Sequence, residues 1–244
     1  MTTLIDLNKI YKKFSVRKSI NLKEFFVTPK QPIYSDVKRE FALEDISFKI
    51  NSGESVAILG HNGAGKSTIL SLICSLISPN SGSFSVNGTI CSMLELTSGI
   101  NLDLTGRENI FLYSSLLKIP LKEIKSNINK IINFSELDLA IDMPVRNYSA
   151  GMIARLAFSI LITQKADVMI IDEVFAVGDA SFREKCRNFL ENFINKQGTL
   201  VMVTHDISSV DLYCNRGLVL SKGKLIFDGN IKDAISIYKE SLKK

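Results

Sequence analysis

Gly60-His61-Asn62-Gly63-Ala64-Gly65-Lys66-Ser67 follows the apolar run Ser55 to Leu59 and opens a stretch, Ser67 to Ile77, whose apolar residues recur at helical spacing. A strand, a glycine turn of the form Gly-x-x-x-x-Gly-Lys-Ser, then a helix, is a phosphate-binding arrangement. The glycines let the backbone curl so that its N–H groups converge on phosphate oxygens, and the helix adds its positive N-terminal end. Lys66 can reach the outer phosphates, and the Ser67 hydroxyl is placed for Mg²⁺, with Thr68 beside it.

Further along the chain, three segments have chemistry that fits this loop. Val168 to Ile171 is a continuous apolar run, read as a buried parallel strand, and it delivers Asp172 and Glu173 at its C-terminal end. Asp172 is expected to hold Mg²⁺, and Glu173 to act as general base on an attacking water. A second buried strand, Leu200 to Thr204, leads into His205 and Asp206, and His205 is placed to bond the terminal phosphate or the water. Tyr148-Ser149-Ala150-Gly151-Met152 opens a helix that Ser149 can cap, which makes a second anion site from the exposed N–H groups.

The remainder of the 244 residues alternates short apolar runs with longer helical periods, an α/β pattern. The spacing predicts strands at Leu4–Leu7 and Phe41–Ile50, a hairpin over Ser83–Cys91 turning at Asn87-Gly88, and a hairpin around Lys222-Gly223. It predicts helices at Arg107–Lys118, Leu121–Phe134, Ala150–Thr163, Ser181–Asn195 and Ile231–Ser241. Residues 12 to 40, with eight basic residues, four aromatics and no clean period, read as an inserted basic segment. Its mix of cations and aromatics suits either a solvated loop or contact with anionic lipid headgroups or a lipid-linked diphosphate.

With 45% apolar and 23% charged residues, the composition excludes a disordered chain, a collagen-like repeat and a disulfide-stapled miniprotein. The net charge of +5 falls well short of the dense basic stripe of a nucleic-acid binder, so no nucleic-acid partner is expected. Cys74, Cys91, Cys186 and Cys214 have no C-x-x-C spacing and are read as reduced thiols. No apolar run is long enough to span a bilayer, and no signal peptide is visible, so the chain is expected to stay in the cytoplasm.

In order and spacing, these segments resemble the ATP-binding cassette (ABC) family over essentially the whole chain. The resemblance implies a phosphate-loop α/β domain with a RecA-like core at about 1–95 and 164–244, an antiparallel β edge and a helical subdomain at about 96–163. It implies ATP and Mg²⁺ as ligands and a head-to-tail homodimer, with each ATP between one subunit's phosphate loop and the other's signature segment. By that resemblance Gly60, His61, Asn62, Gly63, Ala64, Gly65, Lys66, Ser67 and Thr68 bind nucleotide and Tyr11 stacks on adenine. Asp172 with Ser67 holds the metal, Glu173 and His205 are catalytic, and Asp179 lies in the dimer-contact loop. The signature Ser149, Ala150, Gly151 and Met152 departs from the usual LSGGQ, and Glu95 is the nearest candidate for the glutamine that couples nucleotide to a membrane partner.

These departures, together with Leu104-Thr105-Gly106-Arg107-Glu108-Asn109 and Glu173-Val174-Phe175-Ala176-Val177-Gly178-Asp179-Ala180, are similar to the ATPase subunits of bacterial exporters of O-antigen, capsule and teichoic acid. The implied partners are a separate transmembrane permease and a lipid-linked glycan cargo, at the cytoplasmic face of the membrane. An exporter of a drug, peptide or lipid, a soluble ABC ATPase and a small GTPase are the competing readings. The single phosphate loop and the absence of an NKxD base-reading motif weigh against the last two.

Overall fold

The computed structural model describes residues 2–14, 41–93, 96–172, 179–204 and 206–242, with Asp172 described by its backbone alone. Its centre is a six-stranded sheet in the order β5-β6-β7-β3-β8-β9, formed by Ile90–Ser92, Val168–Asp172, Thr199–Val203, Ser55–Gly60, Arg216–Ser221 and Lys224–Asn230. β5 to β8 run parallel, and only β9 is antiparallel, closing a hairpin on β8. A second sheet, β2-β1-β4, is antiparallel throughout: β1 is Thr3–Lys13, β2 Phe41–Asn51 and β4 Ser81–Val86.

The parallel strands carry their polar residues only at their first and last positions because both of their faces are covered. Successive side chains divide between two cores. Val56, Ile58, Val168, Ile170, Val201 and Leu218 pack against the antiparallel sheet and helix α1, Lys66–Ile73. Ala57, Leu59, Met169, Ile171, Leu200 and Met202 face the helices α2 (Gly106–Leu116), α3 (Leu121–Ser135), α4 (Ala150–Leu161), α5 (Ala180–Asn195), α6 (Ile207–Tyr213) and α7 (Ile231–Ser241).

The expected hairpin over Ser83–Cys91 does not form. β4 pairs with β1 in one sheet and β5 with β6 in the other. The chain crosses between sheets at Gly88, where φ is +99° and Thr89 N–H donates to Asp167 Oδ2 at 2.7 Å. The expected helix Ser67–Ile77 stops at Ile73, because Ser75 turns left-handed. Its N–H then bonds Leu72 O and that of Leu76 bonds Ser71 O, leaving Leu76 72% exposed. α2 and α5 end in the same way on Lys118 and Gln197. Lys12 and Lys13, read as the start of the insertion, belong to β1, and Lys13 is the ladder partner of Phe41; insertion residues 15–40 lie outside the described residues. Helix α6 was not anticipated, because seven residues are too few to display a period.

Helices α2, α3 and α4 pack on one another as a helical unit. Thr105 and Glu108 form a reciprocal capping box, and fully buried Asn109 ties Asn101, Leu104 and Thr105 together through its amide. This unit meets helix α5 through an aromatic cluster. Phe182 of α5 lies edge-on to Phe134 at 5.7 Å and to Phe158 at 5.9 Å. Phe182 is fully buried. Phe182→Ala is expected to lower stability by about 3–5 kcal/mol through cavity formation. Urea denaturation checks this, and an unchanged midpoint would contradict the packing described.

Candidate functional site

The phosphate loop leaves the end of β3 and is shaped by steric contact. A Cβ on Gly60 would sit 2.6 Å from Leu220 O, and one on Gly65, at φ +107°, would sit 2.7 Å from Leu43 Cδ2. β2 and the β8–β9 turn therefore wall the loop, with Gly223 N–H donating to Ala64 O at 3.1 Å. Gly63 turns outward into open space, and Asn62 is exposed. Lys66 is nine-tenths buried and spans the loop, its ammonium donating to Gly60 O at 2.6 Å and His61 O at 3.0 Å. No side chain caps α1, so its first amides point into the loop's concavity, with Ser67 exposed and Thr68 half-buried on the first turn.

His61 faces the other way. Its Nε2 lies 2.9 Å from Ser241 O, and its ring meets Tyr238 edge-on at 6.1 Å, so the last helix braces the loop. Sequence reading missed this contact, which joins positions far apart in the chain without any local signal.

β6 carries Asp172 to its C-terminal end in register with Val203 of β7, two positions from β3 in the sheet. Residues 173–178, Glu173 among them, lie outside the described residues, as do His205 and Glu95. Either side of position 205, Thr204 Oγ1 accepts from Asp206 N–H at 3.0 Å. Asp206 caps α6, and its bonds from Ser208 and Ser209 hold its carboxyl below the ordinary range. The chemistry of the oxygen donors fits a hard cation: a serine hydroxyl on the first turn of α1 and a carboxylate at the end of β6 match the ligands Mg²⁺ prefers.

Tyr11 is half-buried and meets Phe41 edge-on at 5.9 Å, with the Lys13 ammonium 3.8 Å above the Phe41 ring. Phe41 directly precedes Ala42 and Leu43, which pack on Gly65, so this aromatic pair borders the phosphate loop.

Ser149 caps α4, its hydroxyl accepting from Met152 N–H at 3.2 Å. Tyr148 beneath it is buried and donates to Ala140 O at 2.6 Å. Burial, with the Asp142 charge behind it, raises the phenol above its usual range. Ala150 is exposed, and a Cβ on Gly151 would meet nothing closer than Ser149 Oγ at 3.8 Å, so the α4 N-terminus is open to an incoming group. It opens onto a cleft of about 640 Å³ lined by Ser149, Gly151, Met152, Arg155, Asp179 and Glu136, among others. Among the described residues, none of the phosphate loop lines this cleft. The structure thus presents two open helix N-termini, at α1 and at α4, that do not share a cleft.

Arg155 pairs with Asp179 and, at 3.0 Å, with Glu136. It was not singled out in the sequence, although a cation between Ala154 and Leu156 in an apolar helix was the available signal. Asp179 also caps α5, accepting from Phe182 N–H at 3.0 Å. That amide first, and then Arg155, hold its carboxyl below the usual value of 3.8.

A sequence model described as "ABC transporter" matches residues 43–176. The chain is 40% identical over 245 aligned residues to an O-antigen export system ATP-binding protein, RfbB, of Klebsiella pneumoniae; the match covers 99% of this chain and all of that one. It is 39% identical to a teichoic acids export ATP-binding protein, TagH, of Lactococcus lactis, over 86% of this chain and 46% of that longer one. Among solved structures, a dimeric ATP-binding cassette in a post-hydrolysis state with ADP and Pi shares the fold at TM-score 0.72. That match has 20% identity and covers 93% of this chain and 98% of that one.

A depressed carboxyl pKa in the fold means that its stabilising contribution is complete above the ordinary value and is lost as pH falls through the folded one. The stability difference between wild type and Asp179→Ala is therefore expected to be full near neutrality and to close as pH drops below about 4. Denaturant titration at several pH values reads this, and a gap that widens on acidification would contradict the assignment.

Proposed function

The chain belongs to the ABC transporter family, and from that premise we propose that it is the ATP-hydrolysing subunit of an exporter of lipid-linked cell-surface polysaccharide. The observation that carries this reading is the end-to-end match to the O-antigen export protein, in which both chains are covered almost completely. The match to a teichoic acid export protein supports the same substrate class, a glycan carried to the cell surface.

In this reading the loop amides from Gly60 to Thr68, with Lys66, take the phosphates of ATP, and the base lies against Tyr11. Lys66 is already desolvated and held by carbonyls, so an anion entering the loop exchanges for those partners at little cost in ordering the side chain. Ser67 and Asp172 would hold Mg²⁺, which when bound neutralises phosphate charge. Glu173 takes the proton of the attacking water, and His205 orients that water or the terminal phosphate. Ser149 and Gly151, with the amides around Ala150 and Met152, supply the other half of the site from a second copy, and Asp179 lies at the contact. Two half-sites on one chain that do not share a cleft support a head-to-tail homodimer.

Closure on ATP and reopening after hydrolysis would drive a separate transmembrane permease, with Glu95 as the candidate coupling residue. No helix among the described residues is long and apolar enough to cross a membrane. This suits a peripheral subunit on the cytoplasmic face, docked on that permease.

The reading is tested by gentle solubilisation of native membranes carrying a tagged Glu173→Gln chain. A stoichiometric polytopic membrane protein is expected to co-purify, and recovery only with ribosomes or DNA would overturn the transport reading. Glu173→Gln is expected to keep ATP binding and lose turnover by at least about 10²-fold, the scale of a missing general base. Turnover at the wild-type rate would remove Glu173 from that role.

A further inference from the structure

Glu136 occupies the C-terminal cap of α3, at φ +56°. The conformation is not in itself unusual in this chain, since Ser75, Lys118 and Gln197 end other helices in the same way. Its carboxylate sets it apart. Oε2 accepts from Arg155 of α4 at 3.0 Å, and Oε1 pairs with Lys185 of α5. Arg155 passes on to Asp179, the cap of α5. The two cations are seated on the aromatic cluster below, Arg155 at 5.3 Å from the Phe182 ring and Lys185 at 5.9 Å from Phe134. One carboxylate therefore ties three helices together. One is α3, the second is the helix that presents Ser149, and the third is the helix that begins at Asp179.

We propose that Glu136 is a positioning residue for ATP hydrolysis, which through Arg155 and Lys185 fixes the signature segment at Ser149 relative to the dimer-contact residue Asp179. The inference rests on the two-site homodimer reading above. In that dimer, Ser149 and Asp179 approach the partner together, and the angle between α4 and α5 decides whether both engage at once. Arg155 is 17% exposed, so its pairs are shielded from water more than a surface ion pair is. Without Glu136 the guanidinium keeps Asp179 but loses its hold on α3, and Lys185 loses its carboxylate. The helical unit is then free to pivot on the aromatic cluster.

The test uses the full chain as wild type, Glu136→Gly, Glu136→Gln and Lys185→Met. Glycine suits the left-handed backbone, so Glu136→Gly removes the carboxylate without backbone strain. The expected result is a fall in kcat of about ten- to hundredfold in both Glu136 variants, the scale of a small misplacement of reacting groups. KM for ATP and the thermal midpoint of Glu136→Gly should stay near wild type, because the phosphate loop is untouched. Lys185→Met should lower kcat less, and should add nothing further in the Glu136→Gln background.

A kcat within about twofold of wild type in both Glu136 variants overturns the inference, as does a loss that merely follows the thermal midpoint. ATP-dependent dimerisation, read by size-exclusion chromatography in the Glu173→Gln background, separates the two levels. Dimerisation with unimpaired Glu136 variants sinks this inference alone, whereas no dimerisation sinks the two-site reading and this inference with it.

Discussion

The constraint behind the whole arrangement is the burial of a parallel sheet on both faces. Strands covered on both sides cannot present polar side chains along their length, so chemistry is confined to their ends. β3 ends in the phosphate loop, β6 in Asp172 and β7 in Thr204, and these three strands are neighbours in the sheet. Parallel direction brings all three ends to the same edge. The antiparallel sheet contributes differently: its start at Phe41–Leu43 packs against Gly65 and leaves Tyr11 and Phe41 beside the loop.

The phosphate loop is rigid where it meets its neighbours and open where a ligand enters. Leu220, Leu43 and the Ala42 carbonyl leave no room for side chains at Gly60 and Gly65, whereas Gly63 faces open space. The signature end of α4 has the same character, capped by Ser149 and supported from below by the Tyr148 hydroxyl. In the proposed reading each is half of a site, and assembly into a whole is left to a second chain.

Much of this was legible in the sequence because it is local. The phosphate loop, the apolar strands, the capped α4 and the final helix Ile231–Ser241 each carry their signal within a dozen residues. What was misread depends on geometry that composition and periodicity do not record. Asn87-Gly88 has the composition of a hairpin turn, but its flanking strands find better partners in separate sheets. Leu76 has helical spacing, yet Ser75 turns the chain before reaching it. Arg155, Glu136 and the His61–Ser241 contact connect residues 19 to 180 positions apart, and no periodicity records such pairs. Glu95, Glu173 and His205 rest on motif alone.

Lys13 and Phe41 are opposite one another in the β1–β2 ladder, fastened by a cation over a ring. Whatever chain lies between them leaves and returns at the same rung. The entropy of closing such an excursion rises only with the logarithm of its length, by about 0.6 kcal/mol per doubling. The register of β1 against β2, and the wall they give Gly65, is therefore almost indifferent to how many residues intervene. The fold can accept a longer, shorter or wholly different segment at this point, beside the ring proposed to meet the base.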